Sequence, residues 1–223
     1  TQILSNIINE GTLNTQSGTN GYVNLANVSS DNTKGTINNA GNLKITGTIT
    51  NQTVNTNGTL TLGNYGSSPE NGYFSDSDLN LNGGSLGVAN GEIDTISLSD
   101  LSVTNPTNIL FDANLAQGTS DSFSVANPVT GSGSLKIQGI NILADATEKT
   151  TTLTLFENSN SPTLDTSDFI AYTNDNKYAV KAGSTPGQLV IDMYLKNSNL
   201  YNYLAEKDKP KTFSLTGDYV KID

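Results

Sequence analysis

The sequence predicts an all-β chain: a right-handed parallel β-helix (β-solenoid) with a less regular C-terminal part that contains one short helix. Three observations carry this. A Gly-polar-aliphatic tetrad recurs as Gly11-Thr-Leu13-Asn14, Gly35-Thr-Ile37-Asn38, Gly58-Thr-Leu60-Thr61 and Gly84-Ser-Leu86-Gly87, at steps of 24, 23 and 26 residues (35 − 11, 58 − 35 and 84 − 58). Returns of that length mark stacked-repeat proteins, in which no single repeat can bury its apolar face alone. Aliphatic pairs two residues apart fill the intervals: Leu43/Ile45, Leu60/Leu62, Leu79/Leu81, Leu86/Val88, Leu101/Val103, Leu135/Ile137 and Ile140/Ile142. Alternation at period 2 puts both members of a pair on one strand face. Asn20-Gly21, Asn57-Gly58, Asn71-Gly72, Asn82-Gly83 and Asn90-Gly91 punctuate these runs, and such dipeptides favour tight turns because they accept positive φ cheaply.

Short strands joined by such turns could also build a sandwich of antiparallel hairpins. A sandwich has no reason to repeat one tetrad at nearly constant spacing, so the stacked coil is the expected arrangement. In it Leu13, Ile37, Leu60 and Leu86 form one interior column, rising about 4.8 Å per winding. Asn and Thr ladder outside or at corners, each side-chain amide bonding to the winding above. About nine windings would make a rod roughly 45 Å long on that spacing. Gly35, Gly41 and Gly47 stand six apart, which resembles a left-handed hexapeptide helix. The step breaks before Gly58, so the three are read as sides of one winding, and the right-handed form is preferred.

Residues 1–145 are expected to form regular windings, and 146–223 irregular windings or a cap. Strands are predicted at Thr150–Phe156, Phe169–Tyr172, Tyr178–Val180, Leu189–Leu195, Phe213–Leu215 and Tyr219–Ile222. Asn174-Asp-Asn176 and Pro186-Gly187 supply turns. Asn197–Lys207 carries Asn and Ser cap residues and a Leu200/Leu204 pair at i, i+4, so a helix near 198–207 is predicted, stopped by Pro210.

Composition bounds function. Charged residues make up 14% of the 223 and hydrophobic residues 34%, against roughly 25% charged in an ordinary globular domain. A net charge of −10 over this length, with recurring aliphatic alternation, describes an ordered chain with a thin core rather than disorder. Cys, His and Trp are absent, and all eleven basic residues are Lys. Lack of Cys removes disulfides, thiolate metal sites and thiol catalysis. A pI near 4.3 argues against nucleic acid or anionic membrane as a partner. The Lys207, Lys209, Lys211 cluster alternates with Glu206 and Asp208 and reads as a solvated helix end. No apolar run approaches the ~18 residues of a membrane span. The opening Thr-Gln-Ile-Leu-Ser lacks the basic start and apolar core of a signal peptide, so any such signal is expected to lie outside this chain.

Gly35-Thr-Ile-Asn-Asn-Ala-Gly41-Asn-Leu-Lys-Ile-Thr-Gly47-Thr-Ile-Thr-Asn, Leu79-Asn-Leu-Asn-Gly-Gly-Ser-Leu86, Gly91-Glu-Ile-Asp-Thr-Ile96, Asp121-Ser-Phe-Ser-Val125 and Gly131-Ser-Gly133-Ser-Leu-Lys-Ile137 give the first 145 residues a likeness to one group of proteins. The chain resembles an autotransporter (type V secretion) passenger domain of the Asn/Thr/Gly-rich β-helical adhesin type, and the remainder of the chain does so more loosely. The resemblance implies a right-handed β-helix, export to the bacterial surface or medium, and adhesion or self-association rather than catalysis. Partners implied are a host or bacterial surface glycan or protein, or another copy. No cofactor is implied. The chain is then expected to be either a fragment or a released passenger, and Phe213-Ser-Leu-Thr-Gly-Asp218-Tyr-Val resembles the opening of a further β-helical block.

Candidate chemistry is sparse. Asp78-Leu-Asn80-Leu-Asn82-Gly83 matches the first half of a calcium loop, with Asp78, Asn80 and Asn82 as the ligand candidates. A full loop wants a bidentate Glu at the twelfth position, which here is Ala89, and Leu79 and Leu81 suit an inward strand face. The favoured reading is therefore no metal and a turn running into a strand. Gly131-Ser-Gly133-Ser-Leu-Lys136 superficially suggests a phosphate loop but lacks the G-K-[ST] ending, so a corner between windings is expected. The close carboxylate pairs Asp76/Asp78 and Asp165/Asp168 are the minimum for glycoside hydrolysis. Without His, Arg or Trp, the residues that usually build such a site are missing, so no catalytic residue is nominated. Thr46/Thr48, Thr48/Thr50 and Thr59/Thr61 form T-x-T pairs like those of ice-binding solenoids. The tetrads place Asn14, Asn38, Thr61 and Gly87 at one position, so a threonine array is broken. The N-x-[ST] triplets at Asn27, Asn51 and Asn57 are expected by chance in this composition.

The functional expectation is an extracellular non-catalytic surface scaffold or adhesin, binding glycan or itself through flat polar faces. Alternatives are a polysaccharide-active enzyme with carboxylates grouped in a groove, and a filament subunit that stacks end to end.

Overall fold

The computed structural model describes residues 2–7, 9–25, 34–47, 49–63, 74–157, 161–167, 169–174, 176–196, 213–216 and 219–222. Among these residues there is no helix, and the helix predicted near 198–207 lies outside them. The chain is all-β with extensive parallel pairing, compatible with a β-solenoid.

The first sheet orders β1 (Gln2–Ile7), β3 (Asn20–Leu25), β5 (Asn42–Gly47), β8 (Thr59–Leu62), β11 (Ser85–Gly87), β14 (Thr107–Asn114), β17 (Ser134–Ala144) and β19 (Thr163–Asp165), all parallel. The second runs β2 (Thr12–Thr15), β4 (Gly35–Asn39), β7 (Gln52–Thr56), β10 (Asp78–Asn82) and β13 (Asp100–Asn105), again parallel. Two short parallel pairs form a third side: β6 (Ile49–Thr50) with β9 (Phe74–Ser75), and β12 (Thr95–Leu98) with β16 (Ser122–Val125). The chain visits these in a fixed cycle of second sheet, first sheet, third side: β4, β5, β6, then β7, β8, β9, then β10, β11, β12. Through β14 the described strands keep to this cycle; β15 (Thr119–Ser120) then turns back antiparallel on β14, and β17 follows β16 with no second-sheet strand between them.

Aliphatic alternation dictates which side faces in. Leu43, Ile45, Leu60, Leu62, Leu79, Leu81, Leu86, Val88, Leu101 and Val103 are all buried. The tetrads, however, do not share one column. Leu13 pairs with Ile37 on the second sheet, and that column continues through Val54, Leu79 and Leu101. Leu60 and Leu86 belong to the first sheet, in the column Leu43, Leu60, Leu86, Ile109, Ile137. The expectation of a single stack was wrong because the same local pattern, a glycine followed by polar-aliphatic alternation, opens strands on both sheets: Gly11 and Gly35 head β2 and β4 on the second, Gly58 and Gly84 head β8 and β11 on the first. Gly35 begins β4, Gly41 stands between β4 and β5, and Gly47 ends β5, so these three do mark successive sides. The turn reading of the Asn-Gly dipeptides holds at Gly83 and Gly91, which have φ of 101° and 97°. Gly21 instead lies inside β3, facing Leu43, and Asn71-Gly72 lies outside the described residues.

Leu60 is fully buried within its column. Leu60→Ala is expected to cost about 2–5 kcal/mol, because the neighbouring strands β5 and β11, held by backbone pairing, cannot collapse into the gap. Urea unfolding of wild type and variant checks this, and a loss below about 1 kcal/mol would contradict a rigid core.

Toward the C-terminus a second pattern appears. An antiparallel sheet orders β20 (Ile170–Tyr172), β21 (Asn176–Ala182), β22 (Gln188–Lys196), β24 (Tyr219–Ile222) and β23 (Phe213–Thr216), with β18 (Thr150–Thr154) also on β22. It joins the parallel part through backbone and core alike. Phe123 N donates to Leu155 O at 2.7 Å, and Leu155 N to Gly187 O at 2.9 Å. The Phe123 and Phe156 rings stack with centroids 5.0 Å apart. One hydrophobic cluster runs from Val23 to Met193. Tyr178, fully buried, donates its hydroxyl to Asp145 Oδ1 at 2.7 Å and accepts from Ala146 N at 3.2 Å. Burial first, then that carboxylate, pushes the phenol above its usual range. Ile140 and Ile142 are only partly buried, because β19 covers β17 at Ser134–Lys136 alone.

Candidate functional site

The outer face of the second sheet carries an asparagine ladder. Parallel in-register pairing places Asn14, Asn38, Asn55 and Asn80 directly above one another. Asn38 Nδ2 donates to Asn14 Oδ1 at 2.9 Å, Asn55 Nδ2 to Asn38 Oδ1 at 2.8 Å, and Asn80 Nδ2 to Asn55 Oδ1 at 2.8 Å. The rungs are 24, 17 and 25 residues apart in sequence, so only the fold aligns them. Single rungs join Asn20 with Asn42 on the first sheet at 2.9 Å and Asn82 with Asn105 on the second. The expectation that asparagines would ladder is met.

Beside the row lies a groove of about 510 Å³, lined among others by Asn14, Gln16, Ser17, Asn38, Asn55 and Asn57. Its floor is held by Asn39, a buried polar side chain that the alternation points inward, in step with Ile37. Asn39 Nδ2 donates to Thr56 Oγ1 and Thr59 O, both at 3.0 Å, and Oδ1 accepts from Gly41 N at 3.2 Å and from the Thr15 hydroxyl. All of its donor and acceptor capacity on those atoms is used. That makes Asn39 a structural post which fixes the corner, and the reading from sequence did not single it out.

The calcium candidates are strung along this same face. Asp78, Asn80 and Asn82 alternate along β10, where residues two apart are separated by about 6.6–6.8 Å instead of curling round one ion. Lys34 Nζ lies 2.9 Å from both Asp78 oxygens, and Thr53 donates to Asp78 Oδ2 at 3.2 Å. Asn80 and Asn82 belong to the ladders described above. With Lys34 and Asp78 side chains 43% and 19% exposed, their ion pair contributes little stability.

The other sequence candidates disperse. Asp76 sits in a turn at φ 49°, and buried Ser77 separates it from Asp78. Asp165 accepts from the Ser167 hydroxyl, while Asp168 lies outside the described residues. Gly131–Gly133 form the corner between Thr130, bridged to Ser102, and β17. A Cβ at Gly131 would come within 2.1 Å of Val103 O, so the glycines serve close backbone approach. Asn14 and Asn38 do not occupy the position of Thr61 and Gly87: the outward row of the first sheet reads Tyr22, Lys44, Thr61, Gly87, Leu110. The threonine array is broken by those residues. Asn51 takes φ 56° between β6 and β7, Asn57 lines the groove, and Asn27 and Thr48 lie outside the described residues.

Three carboxylates that are separated in the chain converge elsewhere: Asp94, Asp112 and Asp121. Asp112 and Asp121 are fully buried and Asp94 is 9% exposed. Asp121 Oδ1 accepts from Asp94 N at 2.8 Å, and Oδ2 from Asp112 N at 2.7 Å. Asp112 Oδ2 accepts from Asn90 N and Gly91 N at 2.6 and 2.8 Å, and Oδ1 from Asn141. Asn90 Nδ2 donates to Asp94 Oδ2 at 2.7 Å. Burial drives Asp121 up to about 7, its two backbone bonds opposing and the Asp112 and Asp94 charges adding. The cluster binds the 88–94 loop to β14 and to the residue before β16. Phe111, Asp112 and Ala113 are buried consecutively, and a charge inside the run Asn-Ile-Leu-Phe-Asp-Ala was the available signal. Both oxygens of Asp112 and of Asp121 are spent on main-chain and amide donors, and Asp94 Oδ2 accepts from the Asn90 amide. The outer ladder and its groove present a ligand with an uncharged surface rich in donors and acceptors. No protein-family model matches the chain, and no curated protein sequence matches it.

Proposed function

We propose that this chain is an extracellular, non-catalytic surface scaffold or adhesin of the autotransporter passenger kind, wound as a right-handed parallel β-helix, with its flat polar faces as contact surfaces. The observation that carries the reading is the asparagine ladder, a preorganised polar row built by stacking windings in register. A row of fixed amides loses little side-chain entropy on contact and suits repeated weak recognition. The converging acids at Asp94, Asp112 and Asp121 do not favour the enzyme, since their oxygens accept from backbone and amide N–H groups.

The test is incubation of the purified chain with immobilised neutral and anionic polysaccharides, followed by a reducing-end assay of the same samples. Retention on at least one polysaccharide with no growth of reducing ends is expected. Growth of reducing ends above a protein-free control would replace the scaffold with a polysaccharide-active enzyme.

A further inference from the structure

Resting on that reading, we propose that the Asn14–Asn38–Asn55–Asn80 row and its groove form an extended site for a neutral, unbranched oligosaccharide lying along the ladder. Each primary amide has two N–H donors and an oxygen with two lone pairs. A middle rung uses one donor and one lone pair on its neighbours, so Asn38 and Asn55 each keep one of both. A donor and an acceptor recur every ~4.8 Å along the face. A sugar hydroxyl is the group that donates and accepts at once, and a sugar chain repeats it.

The ladder makes this a built row. Each bond fixes the next amide's orientation, and all donors point toward the N-terminal winding, so the chain of dipoles is polarised in one sense. Gln16, Ser17 and Asn57, all exposed, add polar groups along the groove. Charge selects neutral sugars. The row carries no formal charge, Asp78 and Asp100 stand beside it on the same face, Lys34 is engaged by Asp78, and the whole chain bears −10. Anionic polymers meet repulsion there. Among the described residues no aromatic side chain lines the groove, so each sugar contributes little and affinity grows with the number of rungs spanned.

The experiment uses the full ¹⁵N-labelled chain and reads side-chain amide signals during titration. The probes are mannohexaose, cellohexaose and N-acetylchitohexaose, their disaccharides, and a heparin hexasaccharide. At least one neutral hexasaccharide should move the Asn38 and Asn55 amide signals in the wild-type protein, and its disaccharide should bind more weakly. Asn38→Thr with Asn55→Thr keeps good strand formers and should weaken binding about 10- to 30-fold, the equivalent of two lost neutral hydrogen-bonding positions. Thr61→Val, on the outer row of the first sheet, should leave it unchanged. Binding that moves other signals and survives the double substitution would overturn this site while leaving the adhesin reading intact. Absence of binding by every neutral hexasaccharide would overturn the site and the glycan reading together. Preference for heparin, or a disaccharide equal to its hexasaccharide, would overturn the neutral extended row.

Discussion

Gly84→Ala is expected to lower stability by more than about 3 kcal/mol, enough to shift the thermal midpoint by roughly 10 °C in a chain of this size. Two costs combine. Gly84 has φ +73°, where a Cβ is disfavoured by about 1–2 kcal/mol. An ideal Cβ there would also stand 2.1 Å from Gly58 O and 2.7 Å from Asn57 O. Those atoms belong to the winding below and cannot retreat, because Ser85 N donates to the same Gly58 O at 3.0 Å. A Cβ at Gly58 would in turn stand 2.2 Å from Gly41 O, so the corner glycines form a column of close backbone approaches. Gly11 heads a tetrad of the same Gly-polar-aliphatic pattern, yet a Cβ there would meet nothing within 4 Å and its φ is not positive. Gly11→Ala is therefore expected to change stability by no more than about 0.5 kcal/mol. Parallel thermal melts of the two variants check the contrast, and equal effects would show that the corner column is not tight.

Stability should fall as pH rises from about 4 to about 7, and Asp121→Asn should remove that fall. The carboxyl of Asp121 is raised from 3.8 to about 7 in the folded chain, chiefly by burial. A group raised on folding contributes stability that is fully present below its unfolded pKa, because the native state holds the proton more firmly. That contribution is lost as pH climbs through the folded value, so the slope is negative between roughly 4 and 7 and flat above. A shift of this size on a fully buried group corresponds to about 4 kcal/mol at most. Asparagine cannot titrate, so the variant's curve should be flat across the window. Its absolute stability should be lower at acid pH, since one of the Asp94 and Asp112 N–H donors would face an amide N–H₂, at a cost of about 1–3 kcal/mol. Urea unfolding at pH 4.5, 5.5, 6.5 and 7.5 measures this. A wild-type curve that rises through that range, or one that the substitution leaves unchanged, would refute the assignment.

The sequence showed the inward faces. Alternation at Leu43/Ile45, Leu60/Leu62, Leu79/Leu81 and Leu101/Val103 demanded strands with one buried side, and each of these side chains is buried. It also implied amide ladders, since Asn recurs at outward positions. What it concealed was register. Asn14, Asn38, Asn55 and Asn80 are separated by 24, 17 and 25 residues, and the 17-residue winding falls within the tetrad count. A reader of the sequence therefore aligned Ile37 with Leu60, whereas the chain aligns Ile37 with Val54. Asn39 was legible in principle, because it shares the parity of Ile37, but a polar residue at an inward position is ambiguous until its partners Thr15, Thr56 and Thr59 are in place.

Composition and alternation alone thus determined a thin-cored, all-strand chain with aliphatic residues inside and amides outside, because burial of apolar surface at period 2 is a local demand that each segment states for itself. Only the tertiary structure decided which strand lies on which, and with it the ladder, the groove, the glycine column and the buried acids. Parallel partners are brought together by main-chain pairing between strands that two other strands separate in the chain (β4 and β7, for example), and the turn-plus-alternation pattern is the same on both long sheets, so nothing within a segment says which sheet it will join.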